Sequence, residues 1–183
     1  MKTQMLLSAL GRDRVGLADD LADALESRNI EIEDGRMTTY RGRFALIVQV
    51  CGKKHNVAGL KKELAELAEE LKFHLELMPI GSTRRAKPAP QYMIETFSSG
   101  PSGLSQVTRI LKKHLVNIED LETGASDGPF TNKITFHMKA RITVPSSCPV
   151  ELLRKEMRAL EKERDLDVSI RKARVRATSL VGA

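Results

Sequence analysis

The segment Ile30-Glu31-Ile32-Glu33-Asp34-Gly35-Arg36 returns 86 residues later as Val116-Asn117-Ile118-Glu119-Asp120-Leu121-Glu122. The same shift places Leu21 on Val107 and Leu25 on Leu111. An internal repeat of this length constrains the fold more than any composition figure, because each copy must close a core of its own. Between the copies lies Gly81-Ser82-Thr83-Arg84-Arg85-Ala86-Lys87-Pro88-Ala89-Pro90. Its prolines block both helix and sheet ladder, which predicts an extended linker of about ten residues. The expected division is a first domain over 1–80, the linker over 81–90, a second domain over 91–174 and a tail over 175–183.

Each copy carries the same order of hydrophobic periods. In the first, MLLSAL (5–10) predicts a strand and GRDRVG (11–16) a turn. Leu17, Leu21, Ala24 and Leu25 then mark a helix, with Asp19, Asp20 and Asp23 on its other face. Ile30 and Ile32 open a strand, FALIVQV (44–50) forms the next, Val57, Leu60, Leu64, Leu67 and Leu71 mark a second helix, and FHLELMPI (73–80) closes the copy. The second copy reads QYMIETF (91–97), the turn SSGPSG (98–103), a helix on Leu104, Val107, Ile110 and Leu111, then VNIEDLETG (116–124). ITFHMKARITV (134–144) alternates strictly, Val150, Leu153, Met157 and Leu160 mark the last helix, and LDVSIRK (166–172) ends the pattern. Two βαββαβ copies predict an α+β protein of two ferredoxin-like domains, each an antiparallel four-stranded sheet with both helices on one face.

The net charge of +6 does not mark a nucleic-acid surface, because the excess lies outside both copies. Residues 1–80 sum to −1 and 91–170 to 0, while 81–90 carry +3 and 171–183 carry +4. No aromatic platform for stacking bases is present on the strands, where Phe44 and Phe136 are isolated and sit at core positions. No apolar run reaches the roughly 18 residues that a membrane span needs. The opening MKTQMLLSALGRDR lacks a cleavage-site pattern and reads as a first strand, not a leader. Cys51 and Cys148 stand alone and the four histidines are scattered, so a cytoplasmic protein without metal or cofactor is expected.

The turns carry whatever chemistry there is. GRDRVG offers Gly11, Asp13, Arg14 and Gly16 beside a helix start, where free backbone N–H groups suit a carboxylate. SSGPSG offers Ser99, Gly100 and Ser102 in the same position. A structural reading stands beside this one: Asp13 and Ser102 cap their helices, and the glycines permit tight turns. In this topology the turn, the helix start and the start of the second strand are expected to meet at one end. Glu31 and Asn117, with Ile118 after it, open the two second strands. An amide both donates and accepts toward an amino acid's charged ends, whereas a carboxylate only accepts.

GRDRVGLADDL resembles the opening motif of ACT domains, with Val15 where proline is usual. The paired segments IEIEDGRM…RFALIVQV and VNIEDLETG…ITFHMKARITVP resemble the tandem-ACT family of the glycine cleavage system transcriptional repressor over about residues 3–172. That resemblance implies a regulatory protein without catalysis. It would bind a small amino acid, glycine or serine, where ACT domains abut, and act through a partner transcription regulator without touching nucleic acid. It also implies Asn117 and Ile118 at the ligand, with Glu31 the unlike counterpart. Where relatives carry glycine before the second strand, this chain has Asn29 and Leu115. Open sheet edges further allow a homodimer.

Other readings compete. An acylphosphatase-like hydrolase would need Arg12 or Arg14 with Asn117, which belong to different copies. A pure interaction module without ligand needs none of these residues. The stripe Arg109, Lys112, Lys113 and His114 is either a solvated helix face or a dock for an acidic partner. The loop GASDGPF (124–130) is long enough to fold over a site.

Overall fold

The computed structural model describes residues 2–80, 89–100, 102–127 and 134–173. Most of the expected linker, the end of the GASDGPF loop and the tail from 174 onward therefore lie outside the described residues. The chain divides into two compact units, Met1–Arg84 and Arg85–Ala183.

The first unit runs β1 (Lys2–Arg12), α1 (Leu17–Glu26), β2 (Glu31–Tyr40), β3 (Arg43–Lys53), α2 (Lys54–Leu71) and β4 (His74–Pro79). Its strands lie side by side in the order β2-β3-β1-β4, every neighbour antiparallel. The second unit runs β5 (Gln91–Ser98), α3 (Gly103–Lys113), β6 (Asn117–Asp127), β7 (Ile134–Thr143), α4 (Val150–Glu163) and β8 (Leu166–Lys172), in the order β6-β7-β5-β8. Both are ferredoxin-like α+β units, as the repeat predicts. The strand β1 outruns its apolar stretch at both ends, since Lys2 pairs with Lys53 and Arg12 with Arg43, and polar residues on the open face cost the ladder nothing.

Each unit encloses its own core. Leu7, Ala9, Phe44, Val48 and Val50 face Leu17, Leu21, Leu25, Leu60 and Leu64 in the first. Ile94, Met138, Ala140 and Ile142 face Val107, Leu111, Leu153 and Met157 in the second. Leu104, expected on the apolar face of its helix, remains 37% exposed. Gly103, Val107 and Leu111 are the buried residues of α3 and define its inner line at four-residue spacing, which leaves Leu104 at the flank. Ile134, at the far end of the alternating strand, is also exposed.

Two backbone devices occur once in each unit. The first is a bulge. The register of β2 against β3 shifts between Ile32 and Asp34, and that of β6 against β7 between Ile118 and Asp120. The repeated Ile-Glu-Asp is thus the sequence of a β-bulge, in which one extra residue resets the alternation; Ile118 packs on its core, while Ile32 stays half-exposed. The second device is a left-handed residue after each first helix: Asn29 at φ 51° and Leu115 at φ 54°. The N–H of the following residue then reaches back to the helix, from Ile30 to the Leu25 carbonyl and from Val116 to the Leu111 carbonyl, each at 3.0 Å. This is a glycine-type helix ending built without glycine.

Candidate functional site

The glycine loop of the first unit is largely occupied with its own packing. Gly11 is part of β1 and buried. A Cβ there would lie 2.7 Å from Cδ1 of Phe73 and 3.0 Å from Cε1 of Phe44, two rings packed edge to face with centroids 4.9 Å apart. Asp13 does not cap the helix: the N-cap residue is Gly16, at φ 84° and with no side-chain cap bond. Instead the Asp13 N–H donates to the Gly42 carbonyl at 3.0 Å, which ties the loop to the β2–β3 turn. The Arg14 guanidinium pairs with Asp20, and its Nη1 donates to the Val15 carbonyl at 3.3 Å. The first turn of α1 thus contains Asp19 and Asp20, whose charges already complement the positive helix end. A ligand carboxylate arriving there meets like charge.

The serine loop of the second unit differs. Ser102 occupies the N-cap of α3 in a helical conformation (φ −75°, ψ −13°), and its hydroxyl makes no cap bond. Its carbonyl accepts the Ser105 hydroxyl at 2.9 Å, and the Ser98 hydroxyl donates to the Gly100 carbonyl at 2.7 Å. Ser99 is exposed beside them. The first turn of α3 holds no acidic residue.

The strand starts also differ. Glu31 receives Lys2 Nζ at 2.8 and 3.0 Å. Both groups are well exposed, so the pair contributes little stability, but it does commit the carboxylate. The amide nitrogen of Asn117 donates to Glu119 Oε1 at 2.7 Å, and Ile118 beside it packs onto the core. Glu33 accepts from the Gln4 and Gln49 amides, while Asp120 lies 3.9 Å from Arg141.

The expectation that turn and strand start meet within one unit is corrected by the register. Asn117 pairs with Thr143, which pairs with Gln91, the first residue of β5; the Ser98–Ser102 loop follows the other end of that strand. At about 3.3 Å per residue the separation is roughly 20 Å. Likewise Glu31 pairs with Cys51 and Cys51 with Gln4, whereas Gly11 lies at the opposite end beside Phe44. In βαβ order the helix carries the chain back before the second strand begins, so a loop and the strand two elements later open at opposite ends of the sheet. Gly11, Asp13, Arg14 and Gly16 are therefore gathered with one another but not with Glu31, and Ser99, Gly100 and Ser102 not with Asn117 and Ile118.

Sequence spacing gave His114 no partner; the fold gives it one. Glu156 of α4 lies 3.0 Å from His114 Nε2 and 2.9 Å from Lys113 Nζ. The Lys113 hydrogen bond, opposed by partial burial and aided by His114, holds the Glu156 carboxyl below its ordinary range. Two members of the basic stripe thus reach α4, His114 largely covered and Lys113 still exposed, and Arg109 and Lys112 are exposed as well. Burial pushes both thiols up, with Glu33 adding to the effect at Cys51 and Glu156 at Cys148, which keeps them protonated and poorly nucleophilic. Among the described residues no three His, Cys, Asp or Glu side chains gather to hold a metal, and no helix is long and apolar enough to cross a membrane.

The ACT domain sequence profile matches residues 3–78. UPF0237 protein MJ1558 of Methanocaldococcus jannaschii is 34% identical over 71 residues, covering 38% of this chain and 79% of the relative. Two solved structures share the fold of the whole chain. An unknown protein from Galdieria sulphuraria superposes with a TM-score of 0.79 at 24% identity, over 95% of this chain and 100% of the other. A protein described as a candidate glycine cleavage system transcriptional repressor superposes with a TM-score of 0.72 at 19% identity, over 96% and 99%. The profile, the archaeal relative and the two βαββαβ units agree: the chain belongs to the ACT-domain family and is built of two ACT-like repeats in tandem.

Proposed function

We propose that this chain is a non-catalytic regulator that senses a small amino acid, glycine or serine, through its second repeat, and reports to a partner transcription regulator. The observation that carries this reading is the contrast between the repeats. The second combines a helix start free of acidic side chains with an amide at the head of β6, while the first has Asp19 and Asp20 at its helix start and a carboxylate, Glu31, at the head of β2. The amides at the start of α3 suit a ligand carboxylate. Asn117, whose nitrogen is already given to Glu119, offers its oxygen to a ligand ammonium.

Loop and strand start lie roughly 20 Å apart in one unit, so a ligand touching both takes them from two copies of the chain. In a homodimer with the second repeats antiparallel, the Ser99–Ser102 loop of one copy comes beside Asn117 of the other. Ligand binding then changes the surface offered to the partner, a coupling of about 1–3 kcal/mol. The shared fold with a candidate repressor of glycine cleavage supports glycine or serine as the ligand.

Thermal unfolding with each of the twenty amino acids tests this. A ligand at about 100 times its Kd adds about 2.7 kcal/mol. A shift with glycine or serine that disappears in Asn117→Ala supports the reading. No shift with any amino acid ends it.

A further inference from the structure

The face of the first sheet turned away from α1 and α2 is apolar in its middle. Leu6, Leu10, Ala45, Ile47 and Met78 lie there on neighbouring strands, and Leu10 and Ile47 are about half-exposed. Counted from the bulges, where Ile32 pairs with Val50 and Ile118 with Ile142, the place of Ile47 is taken in the second repeat by Lys139. Glu95 stands opposite Lys139 where Ser8 stands opposite Ile47, and Arg171 replaces Met78 on the outer strand. Arg171 pairs with Glu95, and Arg141 lies 3.9 Å from Asp120, so the second face offsets its own charges and suits water. A contiguous aliphatic patch in place of such pairs marks a surface that meets another protein.

Charge says which protein. Two rows from Ile47 toward one end of the face, Arg12 pairs directly across the ladder with Arg43, a like-charged neighbour that costs stability. Among the described residues neither guanidinium makes an ion pair, and Tyr40 stands exposed opposite Arg43. Two rows from Ile47 toward the other end stand Gln4 and Cys51, with Glu31 beside them. Glu31 is matched by Lys2, whereas Glu33 lies over this end and accepts from two neutral amides, Gln4 at 2.8 Å and Gln49. Each end thus lacks a counter-charge that the other end carries.

We propose that this face pairs with the same face of a second copy of the chain. A half-turn about an axis crossing the strands at Ile47 lays the aliphatic middle on itself and brings Arg12 and Arg43 of one copy onto Glu31 and Glu33 of the other. Such self-complementarity is what a two-fold interface requires. Lys2 and Lys53, one row further out, come against the turn that carries Asp13 and Arg41. Arg36 on β2 and Glu76 on β4 stand on the outer strands, at the polar rim. The pairing uses the first repeat alone, so it does not depend on the sensing of glycine or serine by the second.

Charge reversal in the full chain tests it. Arg12→Glu/Arg43→Glu and Glu31→Lys/Glu33→Lys alter exposed side chains, and circular dichroism melts verify that both variants fold. Each variant alone should self-associate at least about tenfold more weakly than the wild type in sedimentation velocity. Their equimolar mixture should recover association, because each then supplies at both ends the charge that the other lacks. Salt at about 1 M should abolish that recovery. Ile47→Lys, which gives the first face the residue of the second, should weaken association with no rescue by either variant. Asn117→Ala, which tests sensing by the second repeat, should leave the recovery unchanged. A wild type that stays monomeric at submillimolar concentration overturns the proposal. So does undiminished association of the folded variants, or a mixture that associates no more strongly than its components.

Discussion

The two repeats share a backbone and differ in what their side chains do at equivalent positions. Both bulge at Ile-Glu-Asp and both end their first helix on a left-handed residue. Yet α1 begins with acids and α3 without them. At the strand head Glu31 is paired with Lys2, where the other copy has Asn117. Ala18, Ala22 and Gly35 of the first repeat correspond to Leu104, Thr108 and Leu121 of the second. Backbone devices are held in common because they solve the same problem twice. The polar and small positions diverge because the fold of each repeat does not depend on them.

The largest effect that separates the repeats is expected at Gly11. Gly11→Val drives a branched side chain into Phe73 and Phe44, and should cost about 2–3 kcal/mol, read as a lower denaturant midpoint. The left-handed helix endings come next. Leu115 is 81% exposed and packs on little, so Leu115→Gly removes strain without losing burial and should stabilise by about 1 kcal/mol. Asparagine tolerates this conformation far better, so Asn29→Gly should move stability by less than about 0.5 kcal/mol. A gain at Asn29 equal to that at Leu115 would refute the strain argument.

Glu156→Gln probes the helix-to-helix clasp that the second repeat builds with His114 and Lys113 where the first pairs Arg28 with Glu63. The folded Glu156 carboxyl titrates below its ordinary 4.5, so its contribution is present above that value and lost as pH falls through the lowered one. The variant should be less stable by about 1 kcal/mol at pH 7, with the deficit vanishing in acid. Thermal melts at pH 7 and pH 3 check both parts. Smallest of all, Ser102→Ala should change stability by less than about 0.5 kcal/mol, because the hydroxyl makes no cap bond.

Much of this was legible in the sequence. The repeat and its hydrophobic periods specify two βαββαβ units, and LDVSIRK matches β8 residue for residue. Leu104 misled, since a leucine in helical register reads as core until Gly103 is seen to take the inner line. The bulge was hidden because Ile-Glu-Asp looks like a short strand, although its recurrence 86 residues on was the available signal. The site was read least well. Turn and strand start are close in order of elements but lie at opposite ends of the sheet, which only the pairing register reveals. Glu156 was out of reach because it lies 42 residues from His114 in the chain.

The most direct measurement is an amide chemical-shift map of the labelled full chain titrated with glycine and then serine. The account predicts perturbations at Ser99–Gly103 and at Asn117–Ile118, with the Gly11–Gly16 loop unmoved. Perturbations confined to Gly11–Gly16 and Glu31, or none at all, would contradict it.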